Sequence, residues 1–293
     1  MNLALTVLNI TAPVFLLAGV GFAWVKFGFE YRVEFVTRMA MTLAVPCLIF
    51  VALMKTDVDP QALAAISLAS LAAYTLVMVG CFTLVKTLNL DAQTYLAPLI
   101  FGNTGNLGLP LALFAFGETG LGYAVVVFAV MAMLTFTIGI WMVAGRGSLK
   151  RVIQEPLVAA TLLGALFLWQ GWETPDFLTN AIELIGQMAI PMMLITLGVA
   201  VARLETNAMA QAIWLSCAKV IICVAAAWCA ATWFGLDPIA AAVLIVQVAT
   251  PVAVTSYLLA EKYGADAQPV AGLVVASTLL SVLALPIILA FVI

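Results

Sequence analysis

Long apolar runs alternate along the chain with short clusters of charged and turn-forming residues. The runs predict membrane-length helical segments near 3–26, 34–54, 62–86, 92–116, 120–144, 155–171, 177–202, 209–233, 238–260 and 269–292. At about 20 residues per crossing of a ~30 Å hydrocarbon layer, ten helices take about 200 residues and leave only short loops. The expected fold is an all-α polytopic membrane protein with ten transmembrane helices and no sizeable extramembrane domain.

Composition strengthens this expectation and narrows the chemistry. The 293 residues are 66% apolar and 9% charged, against roughly 45–50% and 25% in a soluble chain. The absence of histidine excludes an imidazole general base, a proton-relay histidine and a histidine-ligated metal. Cys47, Cys81, Cys217, Cys223 and Cys229 form no C-x-x-C pair. The last three recur every six residues and so scatter around a helix, which fits small apolar filler and not zinc. A net charge of −3 with 11 basic residues argues against nucleic acid as a partner. No cofactor or metal is expected. The first 26 residues lack a basic n-region and a small-residue cleavage site, so they read as a retained span and not as a signal peptide.

Basic residues set the orientation. With the N-terminus outside, the odd-numbered loops and their flanks face the cytoplasm and hold Lys26, Arg32, Arg38, Lys86, Arg146, Lys150, Arg151, Arg203 and Lys262. The other side keeps Lys55 alone. The positive-inside rule then places both termini outside a multi-pass protein of the cell (inner) membrane.

The two halves echo each other. Pro13-Val14 with Gly21 lies 143 positions before Pro156-Leu157 with Gly164, and Ala44-Val45-Pro46 lies 145 before Ala189-Ile190-Pro191. Leu90-Asp91 precedes Leu236-Asp237 by 146, and Phe116-Gly117 precedes Tyr263-Gly264 by 147. Small insertions in a duplicated unit produce such a drift. The expected organisation is a five-helix repeat over 1–145, a cytoplasmic linker at 146–154 and a second five-helix repeat over 155–293. An odd number of spans inverts the second copy, which is the inverted-repeat plan of secondary transporters.

The densest polar segment at membrane depth is Phe101-Gly102-Asn103-Thr104-Gly105-Asn106-Leu107-Gly108-Leu109-Pro110, in the fourth span. Its glycines lower helix propensity and Pro110 removes a backbone donor, so the helix should break. Non-helical backbone at bilayer depth survives where protein or a water-filled cavity satisfies its polar groups. A proline kink with small residues for close packing is the alternative; two asparagines and a threonine within seven residues favour the cavity. In the ninth span the counterpart runs from Gln247 through Thr250-Pro251 to Thr255-Ser256. Here Thr250 reads as an N-cap and Pro251 as the first residue of a new half-helix. In the first repeat Leu109 is a poor cap, so Asn106 or Gly108 would have to serve. Two half-helix N-termini facing each other suit an anionic group such as a carboxylate. Asn103, Asn106, Gln247 and Thr255 can add neutral hydrogen bonds.

Several motifs carry a family resemblance. Asn103-Thr104-Gly105-Asn106-Leu107-Gly108-Leu109-Pro110, Leu43-Ala44-Val45-Pro46-Cys47-Leu48-Ile49-Phe50, Ala189-Ile190-Pro191 with Leu197-Gly198, and Thr250-Pro251-Val252-Ala253 running to Ala260-Glu261-Lys262-Tyr263-Gly264 resemble the auxin efflux carrier family. Ser277-Thr278-Leu279-Leu280-Ser281 with Pro286 extends the likeness into the last span. The resemblance covers essentially the whole chain. It implies ten spans in two inverted repeats, with the fourth and ninth spans broken and crossing at their prolines. It further implies a scaffold from helices 1, 2, 6 and 7, a transport core from helices 3–5 and 8–10, an elevator-like movement and a homodimer. Plant members export auxin and carry a long loop after the fifth span. The short loop here resembles the bacterial permease branch, which is associated with malate, malonate and other organic anions. The implied substrate-binding set is Asn103, Thr104, Gly105, Asn106, Pro110, Gln247, Thr250, Pro251 and Thr255, with Lys219.

Intramembrane charge is scarce. Lys219 lies near the middle of the eighth span, where an unpaired ammonium costs about 2.5–3.5 kcal/mol on insertion scales. It could neutralise a carboxylate substrate or stand where sodium-using relatives hold a coupling cation; snorkelling from this depth is difficult. Glu183 and Arg38 lie 145 apart, near the ends of scaffold spans. Interfacial anchoring explains both, although Glu183 is the acidic residue within a span that could exchange a proton. A small-organic-anion permease, not an enzyme, is therefore expected. A sodium-coupled bile-acid-type symporter should show an acidic or multi-oxygen cation site in the core, and an anion channel could share the same vestibule. Hydrolysis needs an activated nucleophile or a carboxylate pair, and the spans provide neither.

Overall fold

Aspartates open four of the helices. Asp59, Asp91, Asp237 and Asp266 each accept a hydrogen bond from a backbone N–H of the first turn that follows, which satisfies donors the helix itself leaves unpaired. The computed structural model describes residues 3–55, 59–144, 156–203 and 209–293; the linker at 146–154, with Arg146, Lys150 and Arg151, lies outside the described residues. Every regular element among them is helical.

Helix α1 (Leu3–Lys26) is followed by α2 (Val33–Met39), which passes through a π-helical turn, Ala40–Ala44, into α3 (Val45–Met54). Pro46 lacks the N–H that would bond the preceding turn, and the wider turn falls immediately before it. Next come α4 (Pro60–Thr87), α5 (Ala92–Ile100), a second π turn at Thr104–Gly108, α6 (Leu109–Leu134), a third π turn at Thr135–Gly139 and α7 (Ile140–Ala144). The second half holds α8 (Pro156–Gln170), α9 (Asp176–Gln187), α10 (Ala189–Arg203), α11 (Met209–Trp233), α12 (Pro238–Val248), α13 (Val254–Tyr263) and α14 (Ala267–Val292). Gly117 interrupts α6 with φ 66° and ψ −156°, so the long apolar stretch through Val143 is two segments joined at a glycine that alone tolerates this backbone.

Among the described residues, seven stretches are long and apolar enough to cross a membrane: Val7–Lys26, Val33–Met54, Gln61–Thr87, Thr104–Val143, Asp176–Arg203, Met209–Trp233 and Ala267–Val292. Ala159–Gln170 and Pro238–Val248 are apolar but shorter. The chain is an all-helical, multi-pass membrane protein.

The six described residues with left-handed φ fall into three pairs: Gly28 with Gly171, Asn89 with Gly235 and Gly117 with Gly264. Their separations of 143, 146 and 147 positions match those of the sequence landmarks. Helix packing repeats in the same way. Helix α1 lies against α10, where a side chain at Gly21 would overlap the Ile195 carbonyl, and α8 lies against α3, where one at Gly164 would meet Leu53. Elsewhere α4 packs on α11, and α11 in turn contacts α12 and α14. At the end of α3, Lys55 pairs with Glu183 of α9 at 2.9 Å, both half-exposed. The loop after α1 is tied to α10 by the Tyr31 hydroxyl against Thr196 Oγ1 at 2.8 Å and by Arg203 donating to the Tyr31 carbonyl at 2.7 Å.

Candidate functional site

Two interrupted helices meet in the interior. Helix α5 ends at Ile100 and the chain runs extended through Phe101 before the π turn begins at Thr104. Helix α12 ends at Val248, and Thr250–Ala253 is non-helical until α13 starts at Val254. The two irregular segments cross antiparallel: Gly102 pairs with Val252 in an isolated bridge, and the Asn103 N–H donates to the Pro251 carbonyl at 2.7 Å. Other backbone groups that the break leaves without helical partners also find protein partners, as a hydrocarbon environment demands. The Val252 N–H donates to Ser277 Oγ at 3.0 Å, and Lys219 Nζ donates to the Thr250 carbonyl at 3.0 Å. Glycine suits the close approach: a Cβ at Gly102 would overlap Thr250 Oγ1, and one at Gly108 would force the end of the Gln247 side chain to shift.

Three details of the break differ from the sequence expectation. Thr250 is no N-cap: its hydroxyl donates back to the Gln247 carbonyl at 2.7 Å and closes the end of α12. The half-helix opens three residues later, with Ala253 as its N-cap and Pro251 in the extended link. At the other break the chain re-enters helical form after Asn103, through the π turn, and not at Asn106 or Gly108. The Asn103 carbonyl accepts from both Leu107 and Gly108 N–H at 3.1 and 3.2 Å. Consequently the crossing sits at Pro251 on one strand and at Gly102-Asn103 on the other, while Pro110 lies within the first turn of α6.

Beside the crossing is a cavity of about 320 Å³, at the small end of the range for ligand sites. Asn103, Gly105 and Asn106 line it from one break, and Ala253, Val254, Thr255 and Ser256 from the other. Thus the first turns of two helices face one space, and such turns carry unpaired N–H groups and partial positive charge. Asn103 is 5% exposed, and its amide Nδ2 has no partner among the described residues. Thr104, Pro110, Gln247, Thr250 and Pro251 are buried but do not line the cavity. Thr104 Oγ1 and both amide atoms of Gln247 also lack protein partners.

Lys219 stands apart from the cavity. It is 1% exposed, and besides the Thr250 carbonyl its ammonium reaches Cys223 Sγ at 3.6 Å. Tyr74, fully buried on α4, occupies the position 145 residues earlier. Glu183 is at the periphery with Lys55.

The remaining wall was not anticipated from sequence. Thr37 comes from α2 and Met41 from the π turn after it, Phe128, Met131 and Ala132 from α6, Thr135 from the third π turn, and Leu259 from α13. Each of the three π turns contributes at least one lining residue: Met41, Gly105 with Asn106, and Thr135. Such wide turns recur at functional sites.

The family described as membrane transport protein matches residues 6–151 and 146–289. The chain therefore belongs to that family, of the auxin efflux carrier type. Among similar proteins, an uncharacterized transporter of Methanocaldococcus jannaschii is 25% identical over 94% of this chain and 96% of its own length. A Rhizobium meliloti protein named "Putative malonate transporter" is 26% identical over 82% of this chain and 81% of its own.

Proposed function

We propose that this membrane transporter is a secondary carrier of a small organic anion, a mono- or dicarboxylate, which binds in the cavity beside the crossing. The observation that carries the proposal is the convergence of two helix N-termini and the unpartnered Asn103 amide on one space of ligand size. Those groups favour negative charge without any side-chain cation. The resemblance to a named malonate transporter agrees with this class.

The architecture we propose has ten spans in two inverted repeats, with the linker at 146–154 in the cytoplasm and both termini outside. The paired left-handed residues and the paired glycine contacts support it. The first, second, sixth and seventh spans (α1, α2 with α3, α8, and α9 with α10) act as scaffold, and the others (α4–α7 and α11–α14) as moving core. In support, the cavity is bounded by Thr37 and Met41 from a scaffold span and otherwise by core spans, so relative movement of the two units would carry the site across the bilayer. The proposal includes a homodimer through the scaffold, which the family resemblance implies; a monomer mass in lipid nanodiscs would remove that part.

Counterflow of labelled carboxylate in proteoliposomes tests the function. Saturable, accelerated exchange supports a carrier, whereas flux that does not saturate and shows no acceleration by trans substrate identifies a channel.

A further inference from the structure

We infer that the site selects a monoanion: one carboxylate on a compact, otherwise uncharged and partly apolar body. This rests on the carboxylate-carrier reading above and narrows it. Each helix N-terminus presents roughly half an elementary charge, so the two that face the cavity together match a single carboxylate. The first turn after Asn103 and the first turn of α13 bring donors from two directions, and Asn103 Nδ2 adds a donor that nothing in the protein occupies.

The rest of the lining has a different chemistry. Met41, Phe128, Met131, Ala132 and Leu259 form thioether, aromatic and aliphatic walls, beside which Thr37 adds a neutral hydroxyl and no charge. The Thr135 hydroxyl is already committed to the Met131 carbonyl at 2.8 Å. The ammonium of Lys219 is engaged by the Thr250 carbonyl and Cys223 outside the cavity. A second ionised carboxylate would thus be desolvated against apolar walls, which is costly for an unpaired charge. An uncharged body of the same size would instead gain contacts and leave water.

Matched ligand pairs test this on the wild-type protein. Malonate and succinate are compared at neutral pH with their monomethyl esters, which keep the skeleton and lose one charge, as competitors of labelled counterflow and as ligands in thermal-shift assays. Each monoester should compete at concentrations about tenfold or more below its diacid, and Asn103→Ala should abolish that competition. Thr37→Arg, which adds a cation to the cavity wall, should narrow or reverse the preference. Diacids competing as well as or better than their monoesters in the wild type would overturn the inference while leaving the carrier reading intact. If neither class binds, the carboxylate reading itself fails.

Discussion

Lys219 donates its ammonium hydrogen bond to the carbonyl of Thr250 at 3.0 Å, and so binds the end of one half-helix and not the space beside it. The last carbonyls of a helix are the negative end of its dipole, and α12 stops at Val248 in the interior. A buried cation at this point compensates the break from behind. We propose that its role in the transport cycle is to position Thr250–Ala253.

Lys219→Met should accordingly lower thermal stability, because the Thr250 carbonyl loses its partner, an effect of about 1–3 kcal/mol. Turnover should fall more than affinity. Lys219→Arg should retain part of the activity, since charge persists in a different shape. Binding and counterflow measured on the same purified variants check this; a loss of binding as complete as in Asn103→Ala would return Lys219 to direct contact with the substrate.

Gly102→Ala and Gly108→Ala probe the closeness of the crossing. Each added methyl would overlap a side chain of the opposite break, Thr250 or Gln247. Displacing that packing should cost about 1–3 kcal/mol and reduce counterflow at least tenfold, with insertion into the membrane unchanged. Gly19→Ala, where nothing lies near the added carbon, should behave as wild type in the same assay.

Glu183 has been drawn into an ion pair with Lys55 at the half-exposed end of α3. Exposed pairs contribute about 0–1 kcal/mol. Glu183→Gln is therefore expected to leave both the transport rate and its pH dependence unchanged. A flattened pH profile in this variant would instead assign Glu183 to proton coupling.

Much of the fold was legible because membrane helices advertise themselves by apolar length, and because Gly117, Gly264, Asp91 and Asp237 mark the ends of segments in both halves. The breaks were legible from Gly102 to Pro110 and from Thr250 to Pro251 for the same reason: these residues are poor in helices. Where each half-helix resumes was not. Thr250 has the chemistry of an N-cap, but its hydroxyl turns back to Gln247, a choice fixed by the crossing strand and by Lys219. The walls of the cavity were hidden for another reason. Phe128, Met131 and Leu259 are ordinary residues for a lipid-soluble span, and Thr37 and Thr135 resemble threonines elsewhere in the helices that bond their own preceding turn. The π turns at Ala40–Ala44 and Thr104–Gly108 each end two residues before a proline, Pro46 and Pro110, whereas the third, Thr135–Gly139, has no evident local cause.

The proposed site is tested most directly by substrate binding and counterflow in Asn103→Ala, Asn106→Ala and Pro251→Ala, each confirmed as inserted and folded. The first two remove polar groups that line the cavity, and the third frees the extended link whose carbonyl accepts from Asn103. Binding at the crossing predicts that all three lose affinity or transport by about tenfold or more. Wild-type binding and transport in all three would place the substrate elsewhere in the protein.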